Sequence, residues 1–118
     1  REPDLDTYVD TVFKYSAKIV KDRSFNAGCP ICAIATEASA RNPLLAAAVS
    51  NAFAMWEAEI TKSAARWGMN AKNAADFANA LVTAVDGAMI VAKAQRSTNA
   101  HHNAARAIKA LGHQMLAH

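Results

Sequence analysis

Alanine fills 29 of the 118 positions, and no other feature limits the fold as tightly. It is the strongest helix former and a poor strand former, so a chain so rich in it favours helices packed on helices. Four glycines and three prolines leave few places to break those helices. With 53% hydrophobic residues there is ample apolar surface to bury, which excludes disorder. Two cysteines are too few for a disulfide scaffold, and 118 residues suffice for one domain. The unbroken apolar runs fall short of the ~20 residues of a membrane span, and no basic-then-apolar leader opens the chain. The expectation is a cytoplasmic protein with no membrane partner.

Five helical segments follow from the spacing. The first begins behind Pro3, with Asp4 or Asp6 as cap, and places Leu5, Tyr8, Val9, Val12, Phe13, Ile19 and Val20 on one face. Residues 23–28 read as a loop, and Pro30 opens a short second segment to about Ala40. Asn42-Pro43 supplies a cap and a first-turn proline for the third, in which Leu45, Val49, Ala52, Phe53, Trp56, Ile60, Ser63 and Trp67 share a stripe that Gly68 ends. Asn70 caps a long fourth segment to about Ser97. Asn99 caps a fifth, to about Leu116. The predicted fold is an all-α bundle of about five helices.

The fourth segment is apolar on two sides. One side carries Ala74, Ala78, Leu81, Val82, Val85, Met89 and Ala92, an ordinary core face. The other carries Ala80, Ala84, Gly87, Val91 and Ala94, small enough for a second helix backbone to approach. A polar stripe of Asn79, Thr83, Asp86 and Lys93 runs between them. Such a helix must be sandwiched, and another subunit is a natural source of the cover.

The net charge of +3 and pI near 9.1 come from scattered cations. Lys14, Lys18, Lys21 and Arg23 come closest to a cluster, and acids precede them, the pattern of a solvated helix face. No recognition-helix pattern or zinc finger marks a DNA reader. Cys29 and Cys32 form a Cys-x-x-Cys at a helix start. A zinc site would need two more ligands and a thioredoxin site a βαβ context, so two small buried hydrophobes are the favoured reading, with a thiol switch behind it. His101 and His102 face different sides of their helix, and no metal is expected. No nucleophile elbow, phosphate-cradling glycine loop or His-Glu-x-x-His is present. Glu37 and Asp86 are the acids best placed for partial burial, but two lone acids make no acid–base pair. The sequence points away from an enzyme and calls for no cofactor.

In order along the chain, Ser24-Phe25, Gly28-Cys29-Pro30, Ala33 to Glu37, Asn42-Pro43-Leu44, Phe53-Ala54-Met55-Trp56-Glu57, Asp86-Gly87 and Ala94-Gln95-Arg96-Ser97-Thr98 form a pattern. It resembles the regulatory domain of tetracycline-repressor (TetR) family transcription factors, in the branch described as LmrA/YxaF-like. The resemblance covers about residues 3 to 112. Cys32 departs from the pattern, which has a small or aliphatic residue there. Members of this bacterial family begin with a helix-turn-helix DNA-binding domain and a connecting helix. The expectation is that residues 1–118 are the ligand-binding and dimerisation domain alone, with operator DNA contacted only through the missing N-terminal part.

The resemblance implies a homodimer built on the last two helices and a small hydrophobic or aromatic effector that releases the operator. The small face Ala80, Ala84, Gly87, Val91 and Ala94, with Ala104, Ile108 and Leu111 of the fifth segment, is the expected seam. The expected pocket lies between Val49, Phe53, Trp56 and Ile60 on one side and Phe77, Leu81, Val85 and Met89 on the other, with Asp86 at its border. The alternatives are a helical protein-interaction or scaffold domain without a small ligand, and a thiol-based redox sensor.

Overall fold

The structure, a computed structural model, describes residues 3–26 and 41–117. Within them the chain forms four helices: α1 (Leu5–Asp22), α2 (Pro43–Trp67), α3 (Ala71–Gln95) and α4 (Asn99–Leu116). The expected segment from Pro30 to about Ala40 lies outside the described residues. Helix α3 is the hub, packing on α2, α4 and α1, while α1 also lies along α4.

Local chemistry sets the ends. The Asp4 carboxylate accepts from the Thr7 amide at 2.8 Å, so Asp4 and not Asp6 caps α1. Asn42 accepts from the Leu45 amide with Pro43 in the first turn, and Asn70 accepts from the Asn73 amide. Gly68 ends α2 at φ 115°, a left-handed conformation that glycine adopts without strain. Two boundaries differ from the sequence reading. Arg96, at φ 51°, caps α3, whose last residue Gln95 lies two before Ser97. Thr98, not Asn99, occupies the cap position of α4 and makes no side-chain capping bond.

The core contains Leu5, Val9, Phe13, Ile60, Ala64, Phe77, Ala78, Leu81, Val82, Val85 and Ile108, with contributions from all four helices. Trp67 stacks edge-on against Tyr8 and Phe77, with centroids 5.3 and 6.0 Å apart, and its Nε1 donates to the Pro3 carbonyl at 3.0 Å. A smaller cluster joins Val20, Met89 and Ala92, with Ile19 and Phe25 against it. The whole expected core face of α3 is buried.

Helix α3 is also long and apolar enough by composition to cross a membrane, with a mean hydropathy of 1.4 over an 18-residue window. Its unbroken apolar runs are nonetheless short, because Asp86 and Lys93 interrupt them without lowering the average far. Half of that window is buried inside the bundle, as expected of a central core helix.

Candidate functional site

A cleft of about 640 Å³ opens between α1 and α4. Its floor includes Phe13, Ala17 and Ala105, and its walls include Lys14, Lys18 and Lys21 from α1 and His102, Arg106 and Lys109 from α4. The two sets share one spacing, i, i+4, i+7, which places each set on one helical face. Among the described residues, two carboxylates line the cleft against five lysine and arginine cations. Both are engaged: Asp10 with Lys109 at 2.8 Å and Asp22 with Lys18 at 2.6 Å. Lys14, Lys21 and Arg106 have no carboxylate partner among the described residues.

His101 sits in the wall of this cleft, 2% exposed. Its Nε2 pairs with the Ser16 hydroxyl at 3.0 Å, and its ring meets Phe13 edge-on. Nδ1 is buried without a hydrogen-bond partner among the described residues. Burial holds the imidazole below its ordinary pKa, and the neighbouring His102 and Lys21 push it the same way. Such a ring is mostly neutral near pH 7, with one nitrogen a donor and the other an acceptor.

The residues expected to enclose an apolar pocket come together, but as packed core among the described residues. Ile60, Phe77 and Leu81 are fully buried, Val85 lies beside them, and Phe53 and Trp56 pack half-buried at the edge of the same cluster. Val49 is buried, and Met89 belongs to the smaller cluster. Asp86 is buried and is not without an interaction partner. The cleft was not legible in the sequence, because its two walls come from segments at least 81 residues apart. The matched spacing of 14, 18, 21 and 102, 106, 109 was the available signal.

Residues 7–107 match the family model described as the transcriptional regulator LmrA/YxaF-like, C-terminal domain. The chain belongs to that family. No curated protein and no solved structure matches it.

Several residues that carried the likeness meet in this LmrA/YxaF-like domain. Arg96 Nη2 donates to the Ser24 carbonyl at 2.7 Å, and its guanidinium lies 5.9 Å from the Phe25 ring centroid. All three have positive φ, between 51° and 61°. Glu57 accepts from Asn79 Nδ2 at 3.3 Å, tying α2 to α3. Cys29 and Cys32, with the thiol question attached to them, and Glu37 lie outside the described residues. On the other side of α3, Ala80, Ala84 and Gly87 are half-buried, and Val91 and Ala94 are exposed beside Ile90. A Cβ built on Gly87 meets nothing within 4 Å among the described residues. Ala104 and Leu111 are half-buried against the domain's own core, and Ile108 is inside it.

Proposed function

We propose that this LmrA/YxaF-like domain is the effector-binding, homodimerising part of a TetR-like repressor, in which a small hydrophobic ligand releases operator DNA. Family membership over residues 7–107 carries the reading. In this mechanism the ligand stabilises one arrangement of the dimer, and the DNA-reading heads supplied by the rest of such a regulator lose their match to adjacent half-sites. The domain itself performs no reaction and needs no cofactor.

The small face of α3 is the proposed seam. Ile90 and Val91 remain 52% and 39% exposed, and the open space at Gly87 admits a close helix approach. The proposed effector contacts begin at Phe53 and Trp56, whose rings lie at the edge of the core, and continue through Val49, Ile60, Phe77, Leu81, Val85 and Met89. Asp86 fixes a polar group of the ligand or a partner across the seam.

Light scattering tests the seam. The wild-type chain is expected to be dimeric at micromolar concentration, and Gly87→Leu monomeric yet folded, since the new side chain has room within its own subunit. A wild-type monomer refutes the dimer reading. Tryptophan fluorescence tests the effector site: an aromatic ligand should quench Trp56 saturably in a Trp67→Phe variant and raise the melting temperature. A diverse apolar panel with neither effect assigns these residues to plain core.

A further inference from the structure

We propose that the cleft between α1 and α4 binds a small organic anion, a carboxylate or phosphate carried on an apolar stem. The site is separate from the core residues assigned to the effector, so it goes beyond the regulatory reading and fails or stands apart from it.

Size, charge and an unmet hydrogen-bonding group converge there. A volume of about 640 Å³ lies well within the ~300–1,000 Å³ typical of small-molecule sites. The apolar floor of Phe13, Ala17 and Ala105 suits a hydrocarbon or aryl stem. Above it, Lys14, Lys21 and Arg106 lack acidic partners among the described residues, while the two described acids of the lining are held by Lys109 and Lys18. Lysine presents a point charge and arginine a two-pronged donor, and both suit carboxylate and phosphate oxygens. Thr98, at the cap position of α4, lines the cleft and makes no side-chain capping bond (the Asn99 amide donates to Ser97 Oγ instead, at 3.1 Å), so the helix's positive end adds to the field of the same cleft.

His101 is the independent sign of a ligand. Buried polar atoms are almost always paired, and its Nδ1 is not. If Nε2 accepts from the Ser16 hydroxyl, Nδ1 carries the hydrogen and is a buried donor in the wall of a cationic cleft. An anion seated beside the ring, after a small rotation of the imidazole, satisfies that donor. It also favours the protonated imidazole. The groups facing His101 from α1 are Ser16, Phe13 and Lys21; on α4 its titratable neighbour is His102.

The test uses the whole chain and three probes of equal stem length: decanoate, decyl phosphate and the neutral decanol. Calorimetric titration should give one saturable site per chain for an anion, with decanol at least tenfold weaker and affinity falling as salt rises. Preference between the two anions tells a carboxylate site from a phosphate site, and inorganic phosphate alone tests how far the stem contributes. Lys21→Gln combined with Arg106→Gln, both at the exposed rim, should weaken binding at least tenfold without changing the melting temperature of the free chain appreciably. In NMR, decanoate or decyl phosphate should move the His101 ring titration upward and shift Ala17 and Ala105 amides while leaving the Trp56 indole unmoved. Absence of saturable anion binding overturns the proposal, as does binding insensitive to the double substitution. Apolar compounds that quench Trp56 while no anion binds would sustain the regulatory reading and sink this one.

Discussion

Gly112 is the most tightly enclosed of the described glycines, and replacing it with alanine should destabilise the fold even though alanine is the better helix former. A Cβ at this position would lie 2.5 Å from Leu5 Cδ1, 3.2 Å from Leu5 Cδ2 and 3.0 Å from Phe77 Cε1. Phe77 is fully buried and Leu5 is 3% exposed, so neither side chain has a free direction in which to retreat. Glycine-to-alanine in a helix interior gains about 1 kcal/mol from propensity. Overpacking a filled core costs about 1–3 kcal/mol. The balance is a net loss of about 1 kcal/mol, or roughly 4 °C in melting temperature for a domain of this size. A double-mutant cycle isolates the cause. Leu5→Ala alone leaves a cavity and costs about 2–3 kcal/mol, but it removes both Leu5 methyls from the path of the new Cβ. In that background Gly112→Ala should become stabilising by about 1 kcal/mol, a coupling of about 2 kcal/mol between the two sites. Urea denaturation of the four proteins followed by circular dichroism measures it. Additivity to within about 0.5 kcal/mol, or a Gly112→Ala single variant more stable than wild type, refutes the packing argument.

Three further outcomes follow from named groups. Because His101 has a folded pKa below its unfolded value, the unfolded chain binds the extra proton. Its contribution is therefore fully present above about pH 6.5 and lost as pH falls from there toward the folded value, with a slope of at most about 1.4 kcal/mol per pH unit. His101→Gln should flatten that slope in melting temperatures taken between pH 7.5 and 5, and an unchanged slope assigns it to other groups. At the left-handed end of α3, Arg96→Gly relieves backbone strain that Arg96→Ala retains, while both lose the Ser24 and Phe25 contacts. The glycine variant should be the more stable of the two by about 1 kcal/mol, and equal midpoints in urea would contradict this. Asn70→Ala removes a capping bond and should cost about 1 kcal/mol, whereas Asn99→Ala, exposed in the first turn of α4, should gain a few tenths; equal losses would restore Asn99 as the cap.

The helices were legible because their signals are local. Every residue assigned to the core face of α3 is buried, since a 3.6-residue period in a long segment leaves one solution for which side faces inward. The caps at Asn42 and Asn70 and the stop at Gly68 were readable for the same reason. The end of α3 was not, because Arg96 adopts a conformation that its sequence does not favour and is held there by Ser24 and Phe25, about seventy residues away in the chain. Ser16 was overlooked as a core position because a serine on a helix face reads as solvated. It is buried by its pairing with His101, which no spacing within one segment can announce.

The same distinction separates the apolar stripes from the cleft. Facing stripes of Phe53, Trp56 and Ile60 against Phe77, Leu81 and Val85 are required of any bundle, so periodicity fixes their meeting but not whether a ligand separates them; in the described residues the side chains pack together. Charge carries the opposite information. Solvated helix faces normally mix signs at i, i+4 spacing, as Lys18 with Asp22 and Lys72 with Asp76 do. Bringing α1 against α4 instead gathers cations on both walls of one depression, and among the described residues only two acids join them. Self-repulsion disfavours that arrangement, and solvent screening reduces the penalty without reversing its sign. Nothing in the packing of Phe13, Ala105 and Ile108 requires lysine or arginine at 14, 21 and 106, because neutral polar side chains would leave that core intact. A cluster that the fold does not require, beside a buried nitrogen that the fold leaves unpaired, is best accounted for by the negative charge that completes both.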